Sequence, residues 1–127
     1  MTDPTILVID DETGVRRSIA AYLEDSGFRV LEATNGNEGL AIFASEAPDL
    51  VLTDLRMPGM DGVEFMKQMN AQSPQTPIIV FTGTADVQAA ESLCQDGAAT
   101  CLFKPITDLR ILETAVRQAL EARVKTS

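Results

Sequence analysis

Four chemically capable side chains each follow or close an apolar run. Asp10, with Asp11 beside it, follows "TILVI"; Asp54 follows "LVLT"; Thr82 closes "IIVFT"; and Lys104 follows "TCLF". If these runs end at a common place, three carboxylates, a hydroxyl and an ammonium meet there. Such a group is unfavourable by itself, because two like charges ~5 Å apart at an effective dielectric of ~20 cost on the order of 3 kcal/mol. Lys104 offsets only part of that. A hard divalent cation with oxygen ligands offsets the rest, and Mg²⁺ takes one or two carboxylates while keeping waters and accepting phosphoryl oxygens. The set therefore predicts a Mg²⁺ site suited to a phosphoryl group.

The elements that position these residues are legible in the pattern. Residues 5–10, 50–54 and 78–82 are continuous apolar runs of the kind that form strands buried on both faces, and 29–33 and 100–103 are weaker strand candidates suited to sheet edges. Between and after them lie five helical patterns. The first carries Val15, Ile19, Tyr22 and Leu23 and closes at Gly27; the second carries Leu40, Phe43 and Ala47 before Pro48. Val63, Met66 and Met69 mark the third, Ala90, Leu93 and Cys94 the fourth, and Leu109, Leu112, Val116 and Leu120 the fifth. Alternating strands and helices predict an α/β fold with a parallel sheet, whose strand ends share one edge. Ligands bind at that edge in open α/β sheets.

Taken singly, each residue has a plainer reading. An aspartate after a strand is commonly a turn former or helix cap, Thr82 an ordinary β-branched strand residue, and Lys104 before Pro105 a solvated turn lysine. The plainer readings weaken because residues of complementary charge and hydrogen bonding end different strands.

Composition narrows the function classes. The 127 residues suit one domain with one core, and 10 Lys plus Arg against 19 Asp plus Glu give a net charge of -9, which opposes direct binding to nucleic acid or anionic membrane. Histidine is absent, and Cys94 and Cys101 are not spaced as a zinc site, so both are expected to be reduced core residues. No signal-peptide pattern or membrane span is evident, which predicts a cytoplasmic protein.

"VIDDE" (8–12), "LTDLRMPGMDG" (52–62), "VFTG" (80–83) and "FKPI" (103–106) together resemble the receiver domain of two-component response regulators, in that family's order and at about its spacings, over residues 5–120. The resemblance implies a flavodoxin-like (βα)₅ three-layer sandwich, a five-stranded sheet ordered 2-1-3-4-5, and a single receiver domain over 1–127. It implies Asp54 as phosphoacceptor, with Asp10, Asp11, Asp54 and the backbone carbonyl of Arg56 as Mg²⁺ ligands. Thr82 would be the switch hydroxyl, Lys104 the phosphoryl-binding ammonium, and Pro105 the site of a cis peptide bond. Positions 56 and 84, here Arg56 and Thr84, would flank the path of hydrolytic water and modulate the lifetime of the phosphorylated state. A sensor histidine kinase or histidine phosphotransfer protein would supply the phosphoryl group. The surface made by the fourth helical pattern, the fifth strand and the fifth helical pattern would meet an output domain or downstream protein, the chain being a monomer or a phosphorylation-dependent dimer.

Other classes fit less well. A phosphatase of the haloacid dehalogenase type needs a second acid two residues after its nucleophile, where this chain has Arg56, and "DDETGVRR" lacks the glycines of a nucleotide-binding loop. The chain is thus expected to turn over only its own phosphorylation. The surviving alternative is a receiver-like docking module indifferent to phosphate, because Cys101 stands where the family usually carries Tyr or Phe.

Overall fold

The computed structural model describes residues 3–54, 62–83, 88, 100–104 and 108–126, and statements about structure below concern these. In chain order the elements are β1 (Thr5–Ile9), α1 (Thr13–Asp25), β2 (Arg29–Ala33), α2 (Gly36–Glu46), β3 (Leu50–Thr53), α3 (Gly62–Gln72), β4 (Ile78–Thr82), β5 (Thr100–Phe103) and α4 (Leu109–Thr126). The strands form one parallel sheet in the order β2-β1-β3-β4-β5, as expected for the flavodoxin-like class. The expected helix about Ala90 lies outside the described residues.

Apolar residues run continuously along the central strands because both faces of the sheet are covered. Leu7, Ile9, Val51 and Val80 point to one side, packing with Phe43, Phe65 and Met69 of α2 and α3. Ile6, Val8, Leu52 and Phe81 point to the other, packing with Ile19 and Leu23 of α1 and Leu112 and Val116 of α4. β1, β3 and β4 are buried along their whole length, whereas the edge strands β2 and β5 are largely half-exposed.

Helix ends carry local signals. α1 closes through Gly27 at φ 100°, where the Phe28 amide donates to the Leu23 carbonyl and the Gly27 amide to the Glu24 carbonyl, each at 3.1 Å. Asn35 caps α2 by accepting from the Glu38 amide at 2.8 Å, and Glu38 reaches back to accept from the Thr34 amide at 3.0 Å. On the other side of the molecule, Arg117 of α4 donates to the Ser26 carbonyl and to Glu113, both at 2.9 Å, and stacks over the Phe28 ring, tying α4 to the end of α1.

Gly39 lets α2 lie close against the sheet. A Cβ there would stand 3.2 Å from Ile9 Cγ1, 3.3 Å from Phe65 Cε2 and nearer still to Ile9 Cδ1. Alanine improves helix propensity by up to ~1 kcal/mol, but overpacking a filled core costs ~1–3 kcal/mol. Gly39→Ala is therefore expected to lower the urea midpoint without changing the slope, and a midpoint above wild type would contradict the close-packing argument.

Candidate functional site

The strand register brings the candidate residues to one edge. Ile9 lies opposite Ala33 on one side and Thr53 on the other, Thr53 opposite Val80, and Thr82 opposite Phe103. Backbone hydrogen bonds carry the ladder one step past the strands: the Asp10 amide donates to the Ala33 carbonyl and the Asp54 amide to the Ile9 carbonyl, both at 3.1 Å, and the Lys104 amide to the Thr82 carbonyl at 2.7 Å. Asp10 and Asp54 thus sit side by side just beyond β1 and β3. Asp11 follows Asp10 in the turn that leads from β1 into α1.

One oxygen of each of Asp10, Asp11 and Asp54 lies within 4.8 Å of the others. Asp10 is fully buried and Asp54 nearly so, while Asp11 is exposed. Lys104 Nζ donates to Asp10 Oδ2 and to Asp54 Oδ2, each at 2.9 Å, and stands 3.7 Å from Glu12 Oε1. Its partial burial pulls the ammonium pKa down, but hydrogen bonds to Asp54 and Asp10 and their charges outweigh that and hold it above the ordinary lysine value. Lys104 is therefore a fixed cation between two carboxylates. The third carboxylate remains outside its grasp, leaving room in the charge balance for another cation.

Asp10 is held at every acceptor it has. Its Oδ1 accepts from the Glu12 amide at 2.8 Å, closing the turn into α1, its Oδ2 accepts from Lys104, and its carbonyl accepts from Arg16 Nη1 at 2.9 Å. Arg16 also donates from Nε to Glu32 Oε1 at 3.0 Å, and is buried. This arginine escaped the sequence reading. The signal was available: 16, 19, 20 and 23 form the buried stripe of α1, so a charged residue occupies a core-facing position. The expected face had Val15 and Tyr22 in place of Arg16 and Ala20; Val15 and Tyr22 are only partly buried.

Thr82 is fully buried at the end of β4, and its Oγ1 has no hydrogen-bond partner among the described residues. A buried hydroxyl without an acceptor costs on the order of 1–3 kcal/mol, so the position is unfavourable until an acceptor arrives. Arg56, Thr84 and Pro105, expected respectively as carbonyl ligand and modulator, as modulator and as cis proline, lie outside the described residues. The expectation for Cys101 is overturned. It is disulfide-bonded, not a free thiol, and only half-buried, because it sits on the edge strand β5 where one flank of the strand is uncovered. Cys94 lies outside the described residues.

The donor set fits Mg²⁺. It consists of hard carboxylate oxygens, one of them on an exposed residue facing water, which suits an ion that keeps part of its hydration. No helix among the described residues is long and apolar enough to cross a membrane.

Comparison with known proteins agrees with this geometry. The family described as response regulator receiver domain matches residues 6–117. The regulatory protein AtoC of Escherichia coli is 40% identical over 116 residues, covering 91% of this chain and 25% of AtoC. This chain therefore spans about a quarter of that relative. The sporulation initiation phosphotransferase F of Bacillus subtilis is 32% identical over 120 residues, covering 94% of this chain and 96% of that protein. Among solved structures, a response regulator receiver domain protein from Clostridium thermocellum superimposes with a TM-score of 0.92 at 32% identity, over 98% of this chain and 99% of that one.

Proposed function

The chain belongs to the response regulator receiver domain family, and from that premise we propose that it accepts a phosphoryl group on Asp54 and passes the change to a partner surface. The observation that carries this reading is the pair of buried carboxylates bridged by Lys104, with a third carboxylate within 4.8 Å. A stably folded chain gains little from such an arrangement unless charge is to be exchanged there.

The donor is the protonated phosphoimidazole of a sensor histidine kinase or histidine phosphotransfer protein. An Asp54 carboxylate oxygen attacks phosphorus, the P–N bond breaks, its electron pair returns to the ring, and neutral imidazole leaves. An acyl phosphate remains. Asp10, Asp11 and Asp54 would hold Mg²⁺, with the carbonyl of Arg56 as a further ligand implied by the resemblance, and the bound ion would neutralise charge on the transferring oxygens. Lys104 gives up its bridge to Asp54 and meets a phosphoryl oxygen, keeping its contact with Asp10. Thr82 Oγ1, buried without an acceptor among the described residues, donates to another phosphoryl oxygen, which removes the cost of its isolation. Its movement draws in the chain that follows β4, and this biases the surface of β5, α4 and the segment between β4 and β5 toward its partner. Hydrolysis of the acyl phosphate resets the site, and the resemblance implies that Arg56 and Thr84 would modulate its rate.

The name of the relative that this chain covers almost end to end, a phosphotransferase, supports phosphoryl transfer over docking alone. The larger regulators, of which this chain spans a quarter, support an output domain as the recipient. We place the protein in the cytoplasm, as a monomer or a phosphorylation-dependent dimer.

Intact mass after incubation with phosphoramidate tests the reading. One phosphoryl group should be gained with Mg²⁺ present and none after chelation. No gain under either condition, or equal gain under both, refutes it.

A further inference from the structure

Arg16 joins two strand ends from the start of α1. Its planar head donates from Nη1 to the carbonyl of Asp10 and from Nε to Glu32, spanning the carboxyl ends of β1 and β2 from the first turns of the helix. The side chain is 10% exposed, so a charged group has been taken almost wholly out of water. Helix stability does not ask for this. An alanine or leucine on that stripe, alongside Ile19, Ala20 and Leu23, would bury without any desolvation cost.

The Asp10 carbonyl belongs to the same rigid peptide plane as the Asp11 amide. Anchoring that oxygen sets the plane, and the plane sets where the Asp11 Cα and side chain begin. Asp10 does not need Arg16 for its own carboxylate, which the Glu12 amide and Lys104 already hold. Asp11 differs: it is exposed, and no described residue hydrogen-bonds its carboxylate. Its place in the cluster is a matter of backbone orientation alone.

We propose that Arg16 is a positioning residue for the divalent-cation site, holding the Asp10–Asp11 peptide so that the Asp11 carboxylate meets those of Asp10 and Asp54. The inference rests on the proposed function above, since it assumes that the cluster receives Mg²⁺. Glu32 is part of the device, because it neutralises the buried guanidinium and fixes the angle of its plane; Arg17, 3.8 Å from the same carboxylate and largely exposed, adds little. A lysine at position 16 carries one compact ammonium in place of a fork, so it can serve the Asp10 carbonyl or Glu32 but holds neither in a fixed plane.

The test is a Mg²⁺ titration followed by backbone amide chemical shifts, on wild type, Arg16→Met, Arg16→Lys and Val116→Ala. Val116 is fully buried on α4, in the core cluster that also holds Ile19 and Leu23, and serves as a control for lost stability. Residues that orient metal ligands typically change affinity by roughly tenfold or more when replaced. Arg16→Met is expected to raise the Mg²⁺ Kd by about tenfold and to shift the Asp11 amide in the metal-free protein. Arg16→Lys should fall between it and wild type, and Val116→Ala should bind as wild type does at comparable loss of stability. If Arg16→Met does not fold, Arg16→Lys carries the decision: a raised Kd supports the proposal and a wild-type Kd overturns it. Wild-type affinity in Arg16→Met, or an equal loss in Val116→Ala, also overturns it. A wild-type chain that binds no Mg²⁺ defeats the proposed function as well, so the two failures are told apart by the wild-type titration.

Discussion

Asp54→Asn is expected to fold normally and to gain no phosphoryl group from phosphoramidate and Mg²⁺ under conditions that modify wild type to completion. The substitution keeps the shape of the side chain and removes the nucleophilic oxygen pair's charge, so chemistry is lost while packing is kept. Stability should move little, because the charge terms oppose each other. At an effective dielectric of ~20, attraction to Lys104 across 2.9 Å is worth on the order of 6 kcal/mol, and repulsion from Asp10 and Asp11, within 4.8 Å, on the order of 3 kcal/mol each. The sum is near zero, and the expected change is within ~1 kcal/mol in the absence of metal. Mg²⁺ affinity should fall, since one of the three carboxylates is gone. A stoichiometric adduct on the variant, mapped by tandem mass spectrometry to another residue, would remove Asp54 from its assigned role.

The edge where this chemistry is placed could be read directly from residue order. Strands buried on both faces are continuous apolar runs, and the first polar residue after each run marks where the strand leaves the core. That is why residue order alone assigns Asp10, Asp54 and Lys104 to a common edge, and why the boundaries of β2, β4 and β5 agree with their expected ranges. β1 and β3 each stop one residue short of their aspartate, which leaves the carboxylates beyond the sheet, where they can turn toward one another.

What was not legible depends on partners distant in the chain. The two candidate stripes of α1 share Ile19 and Leu23, and an apolar count prefers Val15 to Arg16. Only the Asp10 carbonyl and Glu32, presented by two other strands' ends, make burial of the guanidinium favourable. Gly39 carries no local mark of a close approach either, since the contact is with Ile9 and Phe65 on other elements. Cys101 misled for a related reason. Its apolar neighbours suggest a core position, but whether one flank of its strand is covered depends on the order of strands in the sheet, and β5 is at the edge.

Lys104→Ala is expected to cause the largest loss of stability of any single change at the site, and Mg²⁺ should restore most of it. Without the ammonium, the buried carboxylates of Asp10 and Asp54 lose the cation that bridges them. Breaking a fully buried ion pair by removing one member costs ~3–5 kcal/mol. The Lys104 side chain retains 18% exposure, so water relieves part of the cost and ~2–3 kcal/mol is expected in the metal-free protein. Lys104 occupies one oxygen of two of the three carboxylates offered to a divalent cation, so removing the lysine also removes a competitor. Mg²⁺ should bind the variant more tightly than wild type, and at ~100 times its Kd it contributes ~2.7 kcal/mol, enough to close the gap. Wild type should also show the lysine's contribution in its pH dependence. Its folded pKa is raised by Asp54 and Asp10 against the opposing effect of burial. The stabilisation is therefore complete below the unfolded lysine value of ~10.4 and lost as pH rises through the higher folded value. Lys104→Ala should lack that alkaline loss. Urea midpoints for both proteins, measured across Mg²⁺ concentration at neutral pH and across pH without metal, check each part. Equal midpoints at all Mg²⁺ concentrations would show that Lys104 does not hold the two carboxylates together.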